Sequence, residues 1–189
     1  MRYQAFLLPV MLLFVALRLR ATSIKYSRQS QDSSQAELYL IGAHLLLFCA
    51  LLLATLPLWH AIVFAAVHYA VLGFYLGAVF VPNHMGMPIV DPDAPRRGFL
   101  EEQVRASRNI RADGKIAELF SSFIFGELNY QIEHHLFPKM SGNHLQRAAG
   151  IVRGFCEKNA IPYHSVNIGE AYREVFQSLN RVGRSVPMS

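Results

Sequence analysis

The chain has 189 residues, of which 52% are hydrophobic and 16% are charged, and its formal net charge is +5 at pH 7. Although it is basic, it has no basic stripe with interleaved aromatic residues, which argues against a nucleic-acid-binding protein. Its two cysteines, Cys49 and Cys156, lie in an apolar run and in the polar half, so no disulfide framework is expected and a reducing compartment fits. Apolar residues are concentrated before Phe80 and charged residues after it, which favours a membrane-embedded first part and a water-facing second part.

The first apolar segment, residues 5–17, reads AFLLPVMLLFVAL. It is shorter than the ~20 apolar residues that a helix needs to cross a bilayer, and Pro9 interrupts it. We therefore predict a helix that lies in the membrane interface or enters it partway. A cleaved signal peptide is a weaker alternative, because no small-residue cleavage site follows. The basic, Ser- and Gln-rich linker Arg20–Gln35 is predicted to be a cytosolic loop.

Two longer apolar runs, residues 38–58 and 61–81, predict transmembrane helices. Pro57, Trp59 and His60 lie where they meet, as in an interfacial aromatic belt with a short outer turn. The pair therefore predicts a transmembrane helical hairpin with both open ends on one side of the membrane. The basic linker before it places that side in the cytosol.

The remaining residues, 83–189, predict a cytosolic helical part of the same domain, which gives an all-α integral membrane protein with one domain over 1–189. The pattern indicates a proline-rich loop at 92–98 and a loose tail from Gly183. The predicted helices cover residues 101–110, 116–138 (as one helix or two), 144–159 and 171–179.

The polar part contains a concentrated set of metal-ligand side chains in residues 126–140, GELNYQIEHHLFPKM. Gln131, His134 and His135 stand at i, i+3 and i+4, so a helix presents all three on one face. Neutral imidazole suits iron, copper and zinc alike, so the spacing predicts a metal site without choosing the metal. Pro138 is expected to end the helix.

The segment NYQIEHHLFP is followed by a basic residue and Met140. It resembles the third histidine box of the integral-membrane fatty acid desaturases, in the subgroup where glutamine replaces the first histidine. The stretches FVPNHMGMP (Phe80–Pro88) and FLEEQVRASRNI (Phe99–Ile110) are similar to the segment before that box in bacterial members of the acyl-lipid or acyl-CoA type. The resemblance covers nearly the whole chain, as the C-terminal half of the family. Two further boxes, H-x-x-x-H and H-x-x-H-H, are expected upstream in the family, and neither spacing occurs in this sequence.

The resemblance implies that His134 and His135 bind iron and that His84 is a ligand contributed between the second and third boxes. An interfacial histidine at a helix end is the alternative for His84. Gln131 either contacts iron directly or hydrogen-bonds to a ligand, with Asn83 as a weaker candidate for holding a ligand or a water. No catalytic residue beyond these ligands and no other cofactor site is implied.

The family reaction introduces a double bond into a fatty acyl chain with O2, at a di-iron centre on the cytosolic boundary of the cell membrane. Electrons come from a separate ferredoxin or cytochrome-b-type haem protein, since no iron–sulfur or haem motif is present. Because four candidate ligands are too few for two irons, we expect this chain alone to bind metal poorly and to be inactive. A fatty acyl hydroxylase on the same scaffold and a non-catalytic membrane remnant are alternatives. A zinc hydrolase is disfavoured, because neither H-E-x-x-H nor H-x-x-E-H occurs.

Other polar residues have simpler interpretations. His44 and His68 lie within predicted spans and are interpreted as neutral histidines hydrogen-bonded between helices. Glu133 either orients an imidazole or faces water. Surface or helix-start positions are expected for His60, His144 and His164, and a solvated cytosolic face for Arg96, Arg97, Arg105, Arg108 and Arg111.

Overall fold

The computed structural model describes residues 4–29, 35–88 and 97–185. Its secondary structure is almost entirely helical, as the sequence predicts. The helices are α1 (Gln4–Leu12), α2 (Val15–Gln29), α3 (Gln35–Thr55), α4 (Leu58–His84), α5 (Phe99–Ala106), α6 (Lys115–Phe125), α7 (Gln131–Leu136), α8 (Gly142–Lys158) and α9 (Ile168–Ser185). The strands are β1 (Asn109–Arg111) and β2 (Ser165–Asn167), and a short 3-10 helix covers Leu128–Tyr130.

The chain divides into two compact units, Leu7–Gly77 and a second one formed by Ala78–Ser189 with residues 1–6. Helix α3 of the first unit and helix α4, which begins in the first unit and ends in the second, are long and apolar enough to cross a membrane. Helices α1 and α2, which are bent by 64° at the break between them, would make a third span if they count as one. The structure therefore contains two helices that could span a membrane, where the apolar runs predict them.

The basic linker is the main difference in this unit. Helix α2 continues through Gln29, so the predicted loop is wrong for Arg20–Gln29, and residues 30–34 lie outside the described part. The reason is local: Arg20–Gln29 contains neither Gly nor Pro, so nothing in it stops a helix that has already begun.

The second unit is built on three-residue strands that the sequence did not predict. β1 and β2 are parallel, with Ile110 opposite Val166. The predicted helix 101–110 ends early, because Ser107 adopts an extended conformation (φ −140°, ψ 163°) and its hydroxyl donates to the carbonyl of Gln103. Pairing with β2 then satisfies the backbone beyond it. Most of the predicted proline-rich loop, residues 92–96, lies outside the described part.

The predicted helix 116–138 is divided at two adjacent residues with left-handed backbone, Gly126 (φ 58°) and Glu127 (φ 66°). This break lets the 3-10 helix and α7 run in a new direction after α6. Helix α8 agrees with the predicted 144–159. Helix α9 runs through Gly183 to Ser185, so the loose tail is wrong for these residues.

Two apolar clusters form the core of the second unit. The first contains Val79, Ile110, Phe125, Val166 and Ala171, and joins the last turns of α4 to α6, α9 and both strands. The second lies behind the histidine-bearing helix α7 and contains Val104, Ile132, Val152 and Cys156. The second cluster holds α7 between α5 and α8.

Candidate functional site: a histidine cluster

Three of the predicted site histidines come together in the second unit. His84 is the last residue of α4, and His134 and His135 lie in the last turn of α7. The ring centroids of His84 and His135 are 5.1 Å apart, and those of His134 and His135 are 6.1 Å apart. The last residue of a candidate span is thus placed beside the histidine pair. That these residues are ligands stays a prediction.

Gln131 lies on the buried side of α7, where it is 5% exposed. Its Oε1 accepts a hydrogen bond from Nδ2 of Asn83 at 3.2 Å, and the same amide donates to the carbonyl of Leu128 at 2.9 Å. Among the described residues, Oδ1 of Asn83 is buried and has no hydrogen-bond partner. The pair of amides therefore links the residue next to His84 to the first residue of α7, which is the kind of supporting contact considered for Gln131 and Asn83.

A buried polar network stands behind the histidines and is centred on Glu133. Its carboxylate is completely buried and accepts hydrogen bonds from Nδ2 of Asn109 (2.7 Å) and from the hydroxyl of Tyr163 (2.9 Å). The alternative in which Glu133 faces water is wrong, and both oxygens bind residues other than histidine. The reason is that β1 and the segment before β2 place Asn109 and Tyr163 behind α7.

Asn109 connects this network to the backbone of α7. Its Oδ1 accepts from the backbone N–H of Ile132 at 2.9 Å, and its Nδ2 also lies 2.6 Å from the hydroxyl of Tyr163. The first N–H groups of a helix have no partner within it, so Asn109 supplies an acceptor at the start of α7. Sequence reasoning missed Asn109 and Tyr163, and no short spacing could have found them, because they lie 24 and 30 residues from Glu133.

The electrostatics of the network follow from burial. Removal from water raises the pKa of Glu133, although the hydrogen bonds from Asn109 and Tyr163 oppose this. Burial and the neighbouring carboxylate raise the pKa of Tyr163, which therefore remains a neutral donor. The network stabilises α7 from the side that faces away from solvent.

His135 has a further partner, Gln103 of α5, whose Oε1 lies 3.1 Å from Nδ1 of the imidazole. A carbonyl oxygen at this distance accepts a hydrogen bond from the protonated Nδ1, so Nε2 carries the free lone pair. Burial, with the neighbouring imidazoles of His84 and His134, lowers the pKa of His135 and favours the neutral form that binds metals. Gln103 was not predicted as a site residue.

The arrangement fits a metal centre only in part. Imidazole is a suitable ligand for iron, and three imidazoles converge here. Within residues 4–29, 35–88 and 97–185, however, no three His, Cys, Asp or Glu side chains are arranged closely enough to hold a metal ion. That the three histidines form part of a ligand set stays a prediction.

Other predicted polar residues have different surroundings. His68 packs its ring against Phe48 of α3 (5.3 Å between centroids) and Phe64 (6.4 Å), so its observed contacts are aromatic. His44 is exposed on α3. His164 was assigned no role, and its Nε2 lies 3.0 Å from the carboxylate of Glu174.

Arg108 corrects the predicted solvated arginine face. Its side chain is completely buried and donates to Glu174 of α9 and to the backbone carbonyl of Met85. Its partners are therefore a carboxylate that is 31% exposed and a backbone carbonyl rather than water, and these bonds tie α9 to the turn after His84. Among the described residues, Nε of Arg108 is buried and has no hydrogen-bond partner. Arg97 and Arg111 are exposed as predicted, whereas Arg96 lies outside the described residues.

Comparison with known proteins identifies the family. The model of the family described as "Fatty acid desaturase" matches residues 1–167. The "Acyl-lipid (9-3)-desaturase" of Physcomitrium patens is 34% identical over 130 residues, which are 69% of this chain and 23% of that protein. The "Delta(8)-fatty-acid desaturase 2" of Arabidopsis thaliana is 30% identical over 64% of this chain and 26% of its own length, and "Fatty acid desaturase 3" of Homo sapiens is 32% identical over 46% and 18%.

This chain therefore spans about a quarter of the length of the first two relatives. No solved structure matches it. The bacterial subtype suggested by the sequence stays a prediction. The family match over residues 1–167 includes α3, α4, α7 and all three clustered histidines, and the chain belongs to the fatty acid desaturase family.

Proposed function

We propose that this chain is the histidine-bearing C-terminal portion of a membrane di-iron fatty acid desaturase. The observation that carries the proposal is the convergence of His84 on His134 and His135 in a chain that matches the family over residues 1–167. The ligands it contributes are these three imidazoles. Gln131 holds Asn83 beside them through its amide.

The proposed reaction removes two hydrogens from adjacent carbons of an acyl chain and reduces O2 to two waters with two electrons and two protons. Iron, when bound, supplies the oxidant that an unactivated C–H bond requires. The electrons come from a separate ferredoxin or cytochrome-b-type haem protein, because the chain has no motif for a redox group. The site lies on the cytosolic side of the cell membrane, which the basic residues of α2 support.

The residues of this chain serve to position ligands. Asn109 and Glu133 fix α7, and Gln103 fixes the ring of His135 with Nε2 free. Because three imidazoles are too few for two irons, the chain by itself binds iron weakly and does not turn over an acyl substrate.

The test is the metal content of the detergent-purified chain after reconstitution with Fe(II), measured by plasma emission spectrometry. The matched variants are His134→Ala/His135→Ala, which removes the pair on α7, and His60→Ala/His144→Ala, which removes two histidines outside the cluster. A complete centre would hold about two irons per chain, and we expect the wild-type chain to hold less. The His134→Ala/His135→Ala variant should lose this iron, and the His60→Ala/His144→Ala variant should keep it.

Two irons per wild-type chain would contradict the proposal that the ligand set is incomplete. Equal iron content in the wild type and the His134→Ala/His135→Ala variant would contradict the proposal that these histidines bind iron. Incubation with acyl lipid, O2, ferredoxin and its reductase, followed by mass spectrometry for loss of two hydrogens, tests the inactivity of the chain alone. Product formation that depends on His134 and His135 would show that the chain completes the centre.

A further inference from the structure

Helix α6 exposes a continuous apolar face in the second unit. Ile116, Leu119, Phe120 and Phe123 are 87%, 74%, 66% and 79% exposed. They stand at i, i+3, i+4 and i+7, which is the spacing of one helix face. Four large apolar side chains at this exposure form a patch of the kind that soluble monomers rarely leave open to water.

The opposite face of α6 is polar and points inward. Oε1 of Glu118 accepts from the hydroxyl of Tyr130 at 2.5 Å and lies 3.3 Å from Nδ2 of Asn129. Oε2 of Glu118 accepts from the backbone N–H of Ala112 at 3.1 Å. Ser122 is buried and its hydroxyl accepts from Asn129 at 3.1 Å. The rotation of α6 about its axis is therefore set by hydrogen bonds to the segment that leads into α7.

This arrangement is the reverse of a helix on the surface of a water-soluble protein. Between Ile116 and Phe125 the only ionisable side chain is Glu118, and it faces the protein. The outward face carries no charge, and hydrogen bonds prevent it from turning inward. An environment that is itself apolar is the one that suits this orientation.

The position of α6 indicates which environment this is. Phe125, its last residue, packs in one cluster with Val79 of α4, and the partly buried Phe80 and Ile124 pack against that cluster. Val79 belongs to a helix long and apolar enough to cross a membrane. The C-terminal end of α6 therefore packs against a helix that is long and apolar enough to cross a membrane. Lys115, at the first position of α6, is exposed, where an ammonium can reach lipid phosphates.

We propose that α6 lies in the interface of the bilayer, with Ile116, Leu119, Phe120 and Phe123 inserted among lipid acyl chains. The occupant of this face is lipid. A second copy of the chain or another protein would instead exclude lipid from it. The segment Lys115–Leu136 then connects a membrane-anchored helix to the histidine-bearing helix α7, which sets the depth of the histidine cluster relative to the lipid.

The test uses the full chain in nanodiscs of phosphatidylcholine with bromine on the acyl chains, which quenches tryptophan on contact. The single native tryptophan is removed by Trp59→Phe, and an indole is introduced by F120W or, at a matched exposed position on the polar face of α8, by Q146W. We expect F120W to lose most of its emission in brominated lipid and Q146W to lose almost none. Bromine near the headgroup should quench more strongly than bromine near the terminal methyl.

Aqueous iodide provides the second arm and should quench Q146W but not F120W. Iodide quenching of F120W, or the absence of quenching by both reagents, would overturn the proposal, the latter because protein would then cover the face. The F123W variant repeats the measurement at another outward position and guards against misfolding of F120W. Iron binding is not part of the readout, so failure here leaves the proposed function intact.

Discussion

The amide oxygen of Gln103 in α5 lies 3.1 Å from Nδ1 of His135 in α7, across 32 residues of sequence. Because a carbonyl oxygen only accepts, this contact selects the neutral imidazole that carries its proton on Nδ1. The tautomer leaves Nε2 as the nitrogen able to bind a metal.

Removal of the Gln103 amide should end the preference of His135 for one neutral tautomer. In Gln103→Leu we expect His135 to populate both neutral forms, because the hydrogen bond from Nδ1 to the Gln103 amide oxygen is lost. The measurement is ring ¹⁵N chemical shifts of histidine-labelled chain at neutral pH, with His135 assigned from a His135→Asn sample. Gln146→Leu, on an exposed surface of α8, should leave the spectrum unchanged. A spectrum of Gln103→Leu identical to wild type would refute the role of Gln103.

Asn109 is expected to be essential for the stability of α7. Asn109→Ala removes three hydrogen bonds in a buried site and should lower the free energy of unfolding by about 3 kcal/mol, at about 1 kcal/mol each. Asn109→Asp should be worse, because a second carboxylate then faces Glu133. Chemical denaturation in detergent measures both, with Asn143→Ala, exposed on α8, as the control.

Hydrogen exchange gives the specific signature of Asn109. Asn109→Ala should accelerate hydrogen exchange at the amide of Ile132 more than at the amide of Phe137. The N–H of Phe137 is bonded to the carbonyl of Glu133, which the substitution leaves in place. Uniform acceleration along α7 would indicate general loosening and contradict the specific contact.

The ion pair of the buried Arg108 and the partly exposed Glu174 should show strong coupling. Glu174→Gln leaves the completely buried guanidinium without its counter-charge and is expected to cost about 3 kcal/mol of unfolding free energy. The double variant Arg108→Met/Glu174→Met should cost less than Glu174→Gln alone, because no charge then remains buried. Denaturation of wild type, both single Met variants and the double variant gives the coupling energy, with Glu170→Gln on the same helix as control. Additive losses would mean that the two side chains act independently.

Cys156 is expected to be unreactive in the native state. Its side chain is completely buried beside Ile132 and Val104, and burial raises the pKa of its thiol, so less thiolate is present at any given pH. In Cys49→Ala, maleimide labelling should stay slow between about pH 7 and pH 9 and become fast only on unfolding. A Gln146→Cys variant without either native cysteine should label readily and faster as pH rises. Equal labelling rates for Cys156 and for the cysteine introduced at position 146 would contradict the burial of Cys156.

Gly73 should be required in the first unit. A Cβ there would lie 2.5 Å from the backbone carbonyl oxygen of Leu13, which cannot yield as a side chain would. Gly73→Ala is therefore expected to destabilise the unit by about 1–3 kcal/mol. Gly42→Ala on α3 is the matched control, because a Cβ at that position would have no atom within 4 Å, and it should be neutral or slightly stabilising. Thermal unfolding in detergent compares them, and equal midpoints would exclude the close approach.

Much of this protein follows from its amino-acid sequence alone. The apolar length of α3 and α4 specifies two helices that can cross a membrane, because the hydrophobic match depends only on consecutive residues. The spacing of Gln131, His134 and His135 specifies three polar side chains on one short helix for the same reason. The residues that flank these three also identified the desaturase family, which the family match confirms.

Only the tertiary structure decided what surrounds that helix. Asn109 reaches Glu133 across 24 residues and Tyr163 across 54, and Arg108 is buried by a carboxylate 66 residues away. In each case a short strand or a turn brings together residues that no local pattern links. The same holds for the orientation of α6. Its apolar spacing is equally compatible with a buried face, and the hydrogen bonds of Glu118 are what direct the apolar face away from the protein.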